Sequence, residues 1–167
     1  MAEETRNFRL AIEYDGSAYC GWQRQKNDRT VQGEIERAIE TMTRRKVSLI
    51  GSGRTDAGVH ALGQTANFKC ETAISPEAFL KGLNSLLDDD IVIKLCEQVP
   101  LEFHARFDVK KKKYRYRLLN RPLPVAVGRQ FVWHIRRPLN VDAMAEACGY
   151  FAGERDFKAF EAAGSPR

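Results

Sequence analysis

The chain has 167 residues, 43% of them hydrophobic, and a formal net charge of +5 at pH 7. That is apolar material for the core of one ordinary domain, so neither a disulfide nor a metal staple is required. No apolar run approaches the ~20 residues of a membrane span, and the polar, acidic opening Met1-Ala2-Glu3-Glu4-Thr5-Arg6 is unlike a signal peptide, so a cytoplasmic location is expected. Cys20, Cys70, Cys96 and Cys148 are far apart and form no CxxC pair, and His60, His104 and His134 are dispersed, so no metal site is expected. The charge is unevenly spread. Residues 1–100 carry 13 Lys and Arg against 15 Asp and Glu, whereas residues 101–167 carry 14 against 7. A basic half beside a nearly neutral one points to a polyanionic partner, or more plainly to lysines that serve solubility.

Phe8, Leu10, Ile12 and Tyr14 alternate with Arg9, Ala11 and Glu13, which predicts a strand with one buried face. Asp15-Gly16-Ser17 then marks a turn. Thr30 is placed to cap a helix running to about Arg45, with Val31, Ile35, Ile39 and Met42 on one face. Residues 47–50 read as a short strand, 51–63 as a Gly-rich loop and 65–70 as another strand. Ser75-Pro76 starts a second helix, whose apolar face is Phe79, Leu80, Leu83 and Leu87, and a strand follows over 91–99. The order β-α-β-β-α-β predicts an α+β fold, a ferredoxin-like split βαβ unit with its helices on one face of an antiparallel sheet.

After Pro100 the pattern begins again. Tyr114, Tyr116 and Leu118 alternate with basic residues, 131–135 reads as a further strand, and Asn140 is placed to cap a helix with Met144, Ala147, Cys148 and Phe151 on one side. The expected organisation is a complete unit over 1–100 and an incomplete second unit over 101–167, broken off at Gly164-Ser165-Pro166-Arg167.

Four segments are candidates for chemistry. In Gly51-Ser52-Gly53-Arg54-Thr55-Asp56-Ala57-Gly58-Val59-His60 the glycines permit sharp turns and close approach of a substrate. A guanidinium two residues from Asp56 can hold that carboxylate ionised and oriented; the plainer alternative is a turn in which Asp56 caps a helix. The segment lacks the Gly-Lys-Ser/Thr of a P-loop and the third glycine of a dinucleotide fingerprint, so it is no phosphate cradle. In Lys110-Lys111-Lys112-Lys113-Tyr114-Arg115-Tyr116-Arg117, basic residues suit phosphates and tyrosines suit unpaired bases, unless the tyrosines lie in a core. Gly21-Trp22-Gln23-Arg24-Gln25 offers stacking and hydrogen bonding to RNA, or else Trp22 plugs the core. Phe103-His104-Ala105-Arg106-Phe107 is again aromatic and basic, and by itself reads as core phenylalanines with a surface His and Arg.

Taken together with Glu13-Tyr14-Asp15-Gly16 and with Gly153-Glu154 before Asp156-Phe157, these segments resemble the TruA family of tRNA pseudouridine synthases, in the family's order and spacing. The resemblance implies isomerisation of a uridine in the anticodon stem-loop of tRNA, without metal or other cofactor, by a homodimer. It implies that Asp56 is the catalytic carboxylate, that Arg54 pairs with it, and that Tyr114 stacks on the target base. From their charge, Arg24, Arg106, Lys112 and Lys113 are candidates for binding phosphates, and Trp22, Gln23 and His60 complete the expected substrate-binding set. The family continues into a second half that closes the catalytic cleft, so the chain is expected to be an incomplete enzyme, weakly active or inactive alone. A non-catalytic RNA-binding module is the competing reading. A ferredoxin-like sheet with basic and aromatic residues suits it, but the usual RNP1 string is absent.

Overall fold

The computed structural model describes residues 4–160. The alternating segment at its start is strand β1 (Thr5–Tyr14), followed by helix α1 (Val31–Thr43), strands β2 (Ile50–Gly51) and β3 (Ala61–Glu71), helix α2 (Pro76–Leu86) and strand β4 (Ile91–Val99). Strand β1 is central, antiparallel to β3 on one side and to β4 on the other, and β2 extends the far edge of β3. The result is an α+β unit with a four-stranded antiparallel sheet in the order β2-β3-β1-β4.

The period of two in β1 places Phe8, Leu10, Ile12 and Tyr14 on one buried face. Phe8, Phe68 and Phe79 pack with ring centroids 4.9–5.3 Å apart, joining β1, β3 and α2. Helix α1 adds Val31, Ile35 and Ile39, and α2 adds Leu83. The other face is polar. Arg9 pairs with Glu97 at 2.6 Å and Lys94 with Glu13 at 2.9 Å. On that face Asn7 and Asn67 are buried, because the turn after β4 folds over them.

Local chemistry sets the boundaries. Ser75 Oγ accepts the Ala78 N–H at 3.1 Å with Pro76 at the first helical position, as expected for the start of α2. Ser75→Ala is expected to lower stability by about 1 kcal/mol, read as a reduced urea midpoint at unchanged slope. An unchanged midpoint would show that the cap contributes nothing. Helix α1 stops at Thr43, short of Arg45, because Arg44 turns left-handed at φ 59°. The strand expected over 47–50 is displaced to Ile50–Gly51, since α1 side chains occupy the Leu49 backbone: Glu36 accepts its N–H at 2.9 Å and Gln32 donates to its carbonyl at 3.1 Å.

The four cysteines divide by burial. Cys70 and Cys96 are buried, Cys20 and Cys148 exposed. Burial, helped by the Glu97 charge, pushes the Cys96 thiol up to about 12. Brief iodoacetamide treatment of the native protein should therefore alkylate Cys20 and Cys148 and spare Cys70 and Cys96 until denaturant is added, as peptide masses will report. Equal labelling of all four would contradict the packing.

The first compact unit runs through the turn after β4 as far as Lys113, and a second begins at Tyr114. The second contains strands β5 (Leu118–Asn120) and β6 (Trp133–Ile135), which pair in parallel, and helix α3 (Val141–Gly149), capped by Asn140 as expected. The strand predicted from Tyr114 is not formed before Leu118: the ladder with β6 covers 118–120, and ahead of it the Arg117 carbonyl accepts Trp133 N–H at 2.8 Å. The strand predicted over 131–135 is shortened to its last three residues, behind a 3-10 turn at Arg129–Phe131. Among the described residues from Tyr114 onward none is buried, and Met144 and Phe151 of the predicted apolar helix face are exposed. The opening Met1-Ala2-Glu3 and the closing Gly164-Ser165-Pro166-Arg167 lie outside the described residues. Among those described, no helix is long and apolar enough to cross a membrane.

Candidate active site

The Gly-rich loop between β2 and β3 has little regular structure, yet its backbone is tied down along its length. Ser52 N–H donates to Thr65 O at 2.8 Å, and the Gln64 side-chain amide donates to Gly53 O at 2.6 Å. Thr55 is gripped twice. Its carbonyl accepts Trp22 N–H at 3.0 Å, and its hydroxyl shares a 2.8 Å hydrogen bond with Tyr14. Val59 N–H donates to Asp56 O at 3.2 Å, closing a turn around Gly58, whose φ of +77° only glycine adopts without strain. Gly51 lies flat on the Trp22 indole: a Cβ there would come within 2.6 Å of Nε1. The loop thus rests on a floor of Tyr14 and Trp22, both buried.

From this fixed backbone Arg54 and Asp56 extend into solvent. Among the described residues neither forms an ion pair, so the Arg54–Asp56 pairing that the resemblance implies is not made here. The Asp56 main chain is held, and its carboxylate has no hydrogen-bond or ion-pair partner among the described residues. A carboxylate so placed is free to meet a sugar or a base. Lys112 belongs to the same unit and approaches this loop: its ammonium would lie 3.1 Å from a Cβ built on Gly53.

His60 ends the loop. Its Nδ1 is 3.1 Å from Gly16 N and 3.0 Å from Asp15 Oδ1, so it accepts from the first or donates to the second according to where the ring proton sits. The hydrogen bond from Ser17 holds the Asp15 carboxyl below its ordinary value, and His60 adds a smaller pull in the same direction. His60 therefore clasps the loop to the β1 turn.

Among the remaining candidates, Trp22 is only 2% exposed and packs beside Tyr14 with ring centroids 6.1 Å apart. Of its two readings, the core plug is the one seen: the indole is beneath the loop and presents no face for stacking. Gln23 is exposed, and its side-chain amide donates to Gln32 Oε1 at 2.8 Å. Arg24 is exposed over most of its side chain and stands 3.1 Å from Glu36 Oε2. Glu36 is itself buried, with Oε1 accepting from Gln32 and from Leu49 N–H. Arg106 is exposed on the turn after β4, which buried Asn7 and Asn67 hold: Asn7 donates to Pro100 O and Phe103 O at 2.9 Å each, and Asn67 Oδ1 accepts Ala105 N–H at 2.9 Å. His104 stacks on Phe107 at 4.3 Å. Lys113 is exposed. In the second unit Tyr114 is 71% and Tyr116 84% exposed, so neither tyrosine sits in a core.

The reading of the sequence passed over Gln32, Glu36, Asn7 and Asn67. Their signal was nonetheless present: Gln32 and Glu36 follow Val31 and Ile35 on α1, and the asparagines interrupt strands, where their type is depleted. Among the described residues no three His, Cys, Asp or Glu side chains converge as a metal site would require.

The profile of the family described as tRNA pseudouridine synthase matches residues 10–108, which include every segment of the loop and its floor. A protein of Clostridium tetani named tRNA pseudouridine synthase A 2 is 50% identical over 95% of this chain and 65% of its own length. Proteins named tRNA pseudouridine synthase A from Acetivibrio thermocellus and Citrifermentans bemidjiense are 50% and 51% identical, over 96% and 94% of this chain and 66% and 63% of theirs. The chain thus spans just under two thirds of the length of the curated relatives it matches.

Proposed function

Because the chain belongs to the tRNA pseudouridine synthase family, we propose that it is the N-terminal part of an enzyme isomerising uridine to pseudouridine in the anticodon stem-loop of tRNA, with Asp56 as the catalytic carboxylate. The observation that carries this reading is the exposed side chain of Asp56, without a partner among the described residues, on a backbone held by Trp22, Tyr14 and Gln64. The strand order β2-β3-β1-β4 with helices after β1 and β3 supports a ferredoxin-like unit over 1–100 as the catalytic half, with 101–167 proposed as the start of a second half.

In the proposed reaction the target nucleotide is flipped out of its stack to reach the loop. Asp56 attacks the sugar as a nucleophile or removes a sugar proton, and the bond from C1′ to uracil N1 breaks. The uracil turns and rejoins the sugar through C5; the C5 hydrogen leaves as a proton and N1 gains one, so no cofactor is consumed. Arg24, Arg106, Lys112 and Lys113 bind phosphates, and Arg54 helps to hold the flipped nucleotide beside Asp56. Tyr114 stacks on the target base, an assignment its exposure suits. His60, Trp22 and Gln23 serve by shaping and fastening the surface that carries these groups. The proposed assembly is a cytoplasmic homodimer.

The second reading, an RNA-binding module without catalysis, is favoured by one observation: Tyr114 and Tyr116 are both exposed within a basic segment. The two separate in an assay with tRNA tritiated at uracil C5. Tritium release by the chain extended with the downstream sequence its relatives possess, lost in Asp56→Ala, supports the synthase; the chain alone should release little. Tight binding without release on any tRNA would overturn the synthase in favour of the module.

A further inference from the structure

The proposed catalytic residue makes no side-chain bond among the described residues, so its main chain must set where it points. The contacts that hold that main chain converge on its neighbour. Thr55 lies between the fixed floor and the free carboxylate, and two bonds reach it from different elements: Trp22 N–H to its carbonyl and the Tyr14 hydroxyl to its Oγ1. Tyr14 is the last residue of β1 and is 3% exposed, with its ring packed beside Trp22. Strand β1 is the centre of the sheet, paired on both sides, so the Tyr14 hydroxyl projects from the most firmly held strand of the unit. Burial raises the Tyr14 hydroxyl above its ordinary value, which already leaves a tyrosine neutral at physiological pH, so it is available both as donor and as acceptor.

We propose that Tyr14 is a positioning residue for the synthase reaction, acting through the Thr55 hydroxyl to fix the Asp56 main chain; this rests on the reading of Asp56 given above. A core tyrosine needs a hydrogen-bond partner for its hydroxyl, but any buried carbonyl or water would serve. Here the partner is the residue next to the reactive carboxylate, on a loop with little secondary structure to hold it. Displacement of a reacting group by ~1 Å can lower a rate by ~10²-fold. Loss of one of two anchors to Thr55 should have a smaller effect, about tenfold.

The test uses the chain extended with the downstream sequence of its relatives and compares Tyr14→Phe, Thr55→Val, Thr55→Ser and the Tyr14→Phe/Thr55→Val double variant. The expected result is about a tenfold fall in kcat for tRNA in Tyr14→Phe and in Thr55→Val, with KM and Tm unchanged. The double variant should be no slower than either single one, and Thr55→Ser, which keeps the hydroxyl, should retain wild-type kcat. Unchanged kcat in Tyr14→Phe, multiplicative losses in the double variant, or a loss of rate that follows a fall in Tm would each overturn the proposal. Hydrogen exchange over residues 52–60 separates this from the parent reading. If the wild type releases no tritium, the synthase reading falls, while faster loop exchange in Tyr14→Phe would still establish the anchor and unchanged exchange would remove it.

Discussion

Asp56→Asn is expected to reduce tritium release from C5-labelled tRNA by at least about 10³-fold while changing tRNA affinity by less than about threefold. Asparagine keeps the shape of the side chain and removes its charge and basicity, so both proposed routes, nucleophilic attack and proton abstraction, are lost together. Folding should be untouched: the side chain is exposed and makes no ion pair among the described residues, and such substitutions lie within about 0.5 kcal/mol of neutral. Binding should be untouched for a different reason. Affinity for tRNA is proposed to come chiefly from cations against phosphates, with Arg24, Arg106 and Lys112 as the proposed contacts, and a carboxylate adds nothing to that attraction. A filter-binding curve across a salt series, run beside the release assay, checks both halves. Equal loss of binding and release would mean that Asp56 builds the RNA surface instead of performing the chemistry, and undiminished release would move the chemistry to another residue.

What was legible in the sequence was what depends on period and spacing. Phe8, Leu10, Ile12 and Tyr14 announced β1, Ser75-Pro76 announced the start of α2, and both are as read. The glycines announced a loop, which is found, but the close approach seen at Gly51 is to the Trp22 indole and not to the substrate that was expected there. Long-range partners were not legible. Nothing local says that Glu36 will take the Leu49 N–H, 13 residues away, and so shift β2 by several residues. Nor does anything local distinguish an indole beneath a loop from one above it, which is why Trp22 stood with two readings until its burial settled them. The strand expected at Tyr114 failed for the converse reason. Alternation describes a chain that is able to pair, and among the described residues 114–116 have no backbone partner on a neighbouring strand.

Trp22→Ala is expected to destabilise the first unit by about 3–5 kcal/mol, the range for deleting a large buried aromatic side chain. Native domains hold only about 5–15 kcal/mol in all, so the variant should unfold at a much lower urea concentration. The cavity would open directly under the Asp56 loop, between Tyr14 and Gly51, where the indole now fills the space. Gly51→Ala approaches the same contact from the other side. Its new Cβ would meet indole atoms at 2.6–2.8 Å, distances that force a shift, and overpacking of this kind costs about 1–3 kcal/mol. With the indole gone the same methyl group enters the space left behind, so Gly51→Ala should be nearly neutral, or stabilising, in the Trp22→Ala background. The two substitutions therefore predict a coupling energy of at least about 1 kcal/mol in a double-mutant cycle. Additive losses would mean that Gly51 is required by its own backbone and not by the tryptophan. A loss of tRNA affinity in Trp22→Ala with stability unchanged would return the indole to the RNA surface, against its burial, and with it the arrangement of floor, loop and carboxylate on which the catalytic reading stands.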